Sequence, residues 1–134
     1  VSPLLLEVVT PERMILREEV ESVIAPGSEG HLGVLPRHSP LLTTLKPGVV
    51  RYRKGGRWER LAVSGGFMEA GPGRVVILAD AAELPSEIDV ERARRAMERA
   101  KKRLWERSPD LDVARAEAAL MRSLARLKAA GVEP

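Results

Sequence analysis

A chain of 134 residues with 22 basic and 19 acidic side chains can bury one ordinary core and is too short for two full domains. It has no cysteine, which excludes disulfides and thiolate metal sites, and its 2 histidines lie at no helical ligand spacing, so no zinc motif exists. A net charge of +3 is too small for a nucleic-acid binder, and no apolar run approaches a membrane span.

The first part reads as sheet. Leu4 to Thr10 is apolar and β-branched, and Pro11 ends it. Met14 to Arg17 and Val20 to Ala25 are further short runs, the latter turned by Pro26-Gly27. In Val49 to Arg53, Val50 and Tyr52 share one face and Arg51 and Arg53 the other. Lys54-Gly55-Gly56-Arg57 predicts a tight hairpin turn into Trp58 to Val63. Ser64-Gly65-Gly66 predicts another turn, into Phe67 to Ala70, and Gly71-Pro72-Gly73 leads to Arg74 to Ala79. Short strands at such intervals, without helices between them, point to an antiparallel sandwich or barrel.

Neither the glycines nor the histidines of this part form a catalytic pattern. Gly27, Gly30 and Gly33 lack the Gly-Lys-Ser/Thr of a phosphate loop, so they read as turn and bulge residues. His31 and His38, with Glu29 and Ser39 nearby, lie in a turn-rich stretch without a nucleophile elbow and read as structural or interfacial. No set of nucleophile, base and oxyanion donors is present, so a non-catalytic chain is expected.

Character changes near Glu87. Eight of the 10 prolines and ten of the 11 glycines lie before it, and the whole positive excess lies after it. Val90, Ala93, Met97, Ala100 and Leu104 form one helical stripe, capped by Asp89 or by Ser86. Glu91 to Arg95 and Glu98 to Lys102 are expected i,i+4 pairs. Ser108-Pro109-Asp110 interrupts. A second stripe follows: Val113, Ala116, Leu120, Leu124 and Leu127, ended by Gly131. Two such helices predict an antiparallel hairpin. Its alanine-rich stripes predict weak holding and an exchangeable partner surface. The division is therefore residues 1–86 as a β-sandwich and 87–134 as a switchable hairpin, an α+β chain.

In that hairpin Arg92 and Arg99 lie two turns apart, and Arg122 and Arg126 one turn apart. They could converge on a phosphate chain beside Asp89 and Glu83. On spacing alone, a solvated face paired with its own acids is the better reading.

Family likeness changes that balance. Val8-Val9-Thr10-Pro11, the run Gly30 to Leu42 with Leu45-Lys46-Pro47-Gly48, Ala62 to Phe67, Val76 to Ala82, and Ile88-Asp89-Val90-Glu91-Arg92-Ala93 occur in order. The chain resembles the epsilon subunits of bacterial F-type ATP synthases over essentially its full length. The resemblance implies a flattened β-sandwich of about ten strands followed by a helical hairpin. It implies a non-catalytic rotor subunit, peripheral on the cytoplasmic face of the bacterial plasma membrane. Its partners would be the gamma subunit, the c-ring and, when the hairpin extends, the beta and alpha subunits, where basic side chains block ATP hydrolysis. Glu29, Gly30, His31 and Leu32 would face the ring, with His38 near the gamma or ring contact. The motif Ile/Leu-Asp-x-x-Arg-Ala implies ATP as a regulatory ligand, not a substrate, held by Glu83, Ile88, Asp89, Arg92, Ala93, Arg99, Arg122 and Arg126 in the folded-down hairpin. Without the resemblance, the alternative is a free-standing ATP-responsive binding module. The lack of Asn and Gln and the many possible ion pairs suit a thermophile.

Overall fold

Alternation of buried and exposed side chains sets the strands of the first part, as in a half-buried sheet. The computed structural model describes residues 3–133. Eight strands come first: β1 Leu4–Val9, β2 Met14–Val20, β3 Ser22–Gly27, β4 Gly30–Val34, β5 Leu41–Lys54, β6 Arg57–Gly71, β7 Arg74–Ala79 and β8 Ala82–Glu83. They pair in the order β2-β1-β7-β6-β5-β3-β4, with β8 on β6. A short 3-10 turn, Pro85–Glu87, leads to α1 Val90–Glu106 and α2 Val113–Ala129.

Two strands of 14 and 15 residues, β5 and β6, are the frame of the sandwich. They pair antiparallel from Leu41↔Ala70 to Lys54↔Arg57, and the ladder breaks between Leu45↔Gly66 and Pro47↔Ser64. Pro47 has no N–H to donate there. Gly65 and Gly66 take φ of +109° and +137°. A Cβ on Gly66 would lie 2.1 Å from the Leu78 carbonyl oxygen, so no other residue fits. The expected turn at Ser64-Gly65-Gly66 is thus a bend inside one strand. This also explains why eight strands make a sandwich expected to have about ten: β5 and β6 each continue through the bend. Leu4, Leu6, Val8, Val23, Val50, Leu61, Met68, Val75 and Ile77 fill the core with no or almost no exposure.

Other expectations shift. Pro26 and Gly27 are buried in β3, and the turn falls at Ser28-Glu29. The stretch read as loop contains β4 and the first half of β5. One pair, β1 with β7, is parallel, from Leu5↔Arg74 to Val9↔Leu78. On its two neighbouring strands, Glu7 takes Arg74 (Nε 2.9 Å, Nη2 2.7 Å) and Arg17 (3.5 Å).

The helices follow their stripes. Ala93, Met97 and Ala100 are buried, and Ala93 and Met97 pack with Leu120, Leu124 and Leu127 of α2. Asp89 caps α1 by accepting from the Arg92 N–H at 3.0 Å, so Ser86 does not serve. Asp112 caps α2 in the same way through Arg115. Past Ala130, Gly131 turns at φ +80°, and the Val132 N–H donates to the Leu127 carbonyl at 2.9 Å, which closes the helix. The expected pairs Glu91–Arg95 and Glu98–Lys102 do not form among the described residues. Glu91 takes Arg94 at 3.2 Å and Lys102 takes Glu106 at 4.0 Å. Exposed partners three and four residues away are nearly equivalent in energy, so spacing does not choose between them.

The junction is pinned. Glu87 accepts from the Leu84 N–H at 3.0 Å and from Arg13 of the β1–β2 turn at 2.5 Å. The Leu84 N–H bond is the main cause that holds its carboxyl below the ordinary 4.5; burial opposes it, and Arg13 lowers it further. A carboxylate depressed in the folded state stabilises the fold above the ordinary glutamate range and loses that effect as pH falls through its folded value. Glu87→Gln should therefore melt below the parent chain at pH 7. The gap should close as pH drops beneath 4.5. A pH series of thermal unfolding curves measures this, and a gap that persists in acid would refute the assignment.

Candidate functional site

Arginine spacing on two antiparallel helices builds the candidate site. Arg99 and Arg103 stand one turn apart on α1, and Arg115, Arg122 and Arg126 project from α2. All five line one groove of about 650 Å³, floored by small residues such as Ala96, Ala100 and Ala119. Asp110 and Asp112 stand at the end near the helix connection. Among the described residues, no ion pair includes Arg99, Arg103, Arg115 or Arg122. Arg126 Nε donates to Glu83 Oε1 at 2.5 Å. Glu83 is fixed by β8, which pairs it with Ala62 of β6. The groove is thus rich in uncompensated guanidinium groups, the side chain best matched to phosphate oxygens.

The anticipated residues divide. Arg99, Arg122 and Arg126 come together, and Glu83 meets Arg126. Asp89 spends one carboxylate oxygen, Oδ1, on the α1 cap. Arg92 is exposed and does not line the groove, although it lies two turns from Arg99 on the same side of α1. Ile88 is buried with Ala62, Ala125 and Ala129, and Ala93 with Met97 and Leu127. These two hold the seams of the hairpin.

The proposed ring-facing residues sit at one sheet edge. Glu29 is in the β3–β4 turn, and Gly30, His31 and Leu32 begin the edge strand β4. Leu32 packs against the core, whereas Glu29, Gly30 and His31 are exposed. His38 lies in the β4–β5 connection, its Nδ1 2.6 Å from the Ser39 carbonyl.

Sequence reasoning missed two features. Met14, Val9, Leu78 and Phe67 are consecutive register neighbours across β2, β1, β7 and β6. Met14, Leu78 and Phe67 are about half exposed or more, and Leu42 of β5 is 71% exposed, so one face carries an uncovered apolar row. Alternation with the buried Met68 and Ile77 was the available signal. The second feature is a latch. Arg60 of β6 donates from Nε to the Ala129 carbonyl at 3.0 Å, at the C-terminal end of α2.

Known proteins match this arrangement. The ATP synthase Delta/Epsilon chain beta-sandwich domain matches residues 3–85, and the Delta/Epsilon chain long alpha-helix domain matches residues 86–131. The ATP synthase epsilon chain of Moorella thermoacetica is 65% identical over 127 residues, covering 94% of this chain and 95% of that one. That of Desulforamulus reducens is 50% identical over 125 residues, covering 93% and 95%. The chain belongs to the ATP synthase epsilon chain family. Membership makes it a non-catalytic subunit of that enzyme. A chain of the Euglena gracilis mitochondrial ATP synthase OSCP/F1/c-ring assembly superposes with a TM-score of 0.81 at 30% identity, over 97% of this chain and 82% of that one. A chain of the Tetrahymena thermophila central stalk and c-ring shares the fold, with a TM-score of 0.60 at 15% identity, over 95% and 96%.

The latch makes a testable epsilon-chain feature. Arg60→Ala removes a charged hydrogen bond to the end of α2. Amides of α2 should then exchange about tenfold faster, while those of β5 and β6 keep their protection. Hydrogen exchange read by mass spectrometry checks this.

Proposed function

We propose that this epsilon chain is a rotor subunit of the central stalk, whose β-sandwich couples a gamma subunit to the c-ring and whose hairpin restrains ATP hydrolysis. It would act as a peripheral protein on the cytoplasmic face of the bacterial plasma membrane. No described helix is long and apolar enough to cross a membrane. ATP would hold the hairpin in the docked form seen here.

The observation that carries the ATP reading is the groove of five arginines, of which only Arg126 takes part in an ion pair among the described residues. Arg99, Arg122 and Arg126 would take the polyphosphate, and Arg92 could extend the cationic track toward the start of α1. Asp89 keeps one carboxylate oxygen, Oδ2, outside the cap bond, for a ribose or base donor. Arg126 must share or exchange its Glu83 partner when phosphate arrives. Glu83 contacts the hairpin from β8, so the full set exists only in the docked form. A ligand that binds one of two states raises that state by RT ln(1 + [L]/Kd).

The sandwich supports the rotor reading through its apolar row. Phe67, Leu78, Met14 and Leu42 suit a face that stays covered by gamma, which disfavours a free-standing module. Glu29, Gly30, His31 and Leu32 would meet the ring at the β4 edge, with His38 close by. In the extended form, the end of α1 would meet acidic loops of the beta subunit, beside alpha. That end carries Lys101, Lys102, Arg103 and Arg107 around Trp105, which is 89% exposed.

Calorimetric titration with ATP tests the ligand. Arg126→Ala should weaken binding about tenfold, the effect of one charge-assisted phosphate contact. Unchanged affinity would remove Arg126 from the site. Co-purification tests the stalk. A chain ending before Ile88 should keep gamma, whereas Phe67→Ser with Leu78→Ser should release it. The reverse pattern would move the gamma contact to the hairpin.

A further inference from the structure

A second cationic cleft lies on the other flank of α2. Lys46 and Arg51 project from β5, His31 from β4 and Lys128 from the last turn of α2, and all four line it. Its volume is about 300 Å³, and no acidic residue lines it. Among the described residues, none of these four side chains takes part in an ion pair. The floor is apolar. Pro26 is buried in β3, and a Cβ on Gly48 would lie 2.7 Å from the Pro26 Cβ, so β5 presses closely on β3 here. Val49 and Met121 complete the apolar walls from β5 and from α2.

Helical spacing separates this cleft from the arginine groove. Met121, Ala125 and Lys128 recur at i, i+4 and i+7 on one side of α2. Arg122 and Arg126 point roughly 100° further round the helix, on the neighbouring flank. Docking carries Lys128 toward Lys46 and Arg51 of the sandwich, with no carboxylate lining the cleft to offset the repulsion. An anion seated in the cleft removes that repulsion and meets charge-assisted donors from both halves of the chain.

We propose that this cleft is a second anion site, selective for a phosphate-bearing group, and that its occupation favours the docked hairpin. The phosphate would lie among Lys46, Arg51 and Lys128, with His31 at the rim. The apolar floor accommodates the non-phosphate portion of the ligand. Because α2 supplies one wall, the complete site exists only in the docked form, and its ligand stabilises that form by linkage. The site shares no lining side chain with the arginine groove.

Titration of the full chain with inorganic pyrophosphate, followed by amide and side-chain NMR shifts, tests the proposal. Lys46, Arg51 and Lys128 should shift and saturate together. The same shifts should persist in a chain carrying Arg99→Ser and Arg122→Ser, which weakens the other groove and leaves the Arg126–Glu83 contact of the joint in place. Lys46→Gln with Arg51→Gln should raise the Kd at least about tenfold, and Lys128→Gln, on the other wall, should raise it as well. Shifts that vanish with Arg99 and Arg122, or a Kd untouched by the cleft substitutions, would overturn the site. Sedimentation with vesicles identifies the source. Binding to phosphatidylglycerol but not phosphatidylcholine vesicles, reversed by pyrophosphate and lost in Lys46→Gln with Arg51→Gln, assigns a lipid headgroup. Pyrophosphate binding without vesicle binding assigns a free phosphate compound. Binding of neither refutes the proposal.

Discussion

Alanine is what α2 offers to the sheet, and the behaviour of the hairpin depends on that contact. Its side of the seam is Ala125, Ala129 and Ala130, set against Ala62 and Val49 of the sandwich and Ile88 of the junction. A buried methyl contributes about 0.8 kcal/mol, so these side chains of α2 supply roughly 2–3 kcal/mol. The larger residues of the hairpin, Met97 and Leu127, face the helix–helix seam. Leu4, Leu6, Leu61, Met68 and Ile77 are spent inside the sandwich. The chain therefore has a firm β core, a hairpin held together by its own contacts, and a thin joint between them. Two polar contacts reinforce the joint, Arg60 on the Ala129 carbonyl and Arg126 on Glu83.

A joint of that strength can be shifted by ordinary ligands. A ligand at a hundred times its Kd contributes about 2.7 kcal/mol to the state it binds, which matches the alanine contribution. Charge works in the same range. The docked hairpin gathers arginines, most of them without an ion pair, along one flank of α2 and Lys46, Arg51 and Lys128 along the neighbouring one. On the proposed function, both flanks would be favoured when an anion fills them. Anion supply, more than packing, would then set the balance between docked and extended forms. The basic residues released on extension would become available to acidic surfaces elsewhere.

Local chemistry was legible in the sequence where it acts alone. Asp89 before Val90 fixes the start of α1 whatever surrounds it, because the cap needs only its own helix. The Lys54-Gly55-Gly56-Arg57 turn and the alternation from Val49 to Arg53 are similarly local. Gly65 and Gly66 misled, because residues that make turns also let a long strand bend, and only the partner strand distinguishes the two. The parallel pairing of β1 with β7 joins segments some seventy residues apart, beyond the reach of periodicity. In the site, Arg122 and Arg126 were readable from one-turn spacing, and Arg99 from the antiparallel hairpin. Arg103 and Arg115 needed the shared groove, and the Arg60 latch needed α2 to be placed on β6. Arg92 shows the limit from the other side: a motif position with suitable chemistry that stays outside the groove.

The change of composition near Glu87 coincides with the mechanical boundary because of two bonds. Glu87 is tied to Arg13 and to the Leu84 N–H, so residues 84–87 move with the sandwich. Val90 onward moves with α1. Ile88 is extended, at φ −79° and ψ 123°, and Asp89 is extended before the helix, at φ −81° and ψ 97°. On the proposed switch, rotation of the hairpin would be confined to the backbone of Ile88 and Asp89. Asp89 caps its own helix, so α1 keeps its first turn in either position. Ile88 does not have that freedom: its side chain is buried against Ala125 and Ala129 only while α2 is docked. On the proposed switch the pivot residue would therefore also sense the docked state, tying movement at the hinge to the α2 wall that both proposed anion sites require.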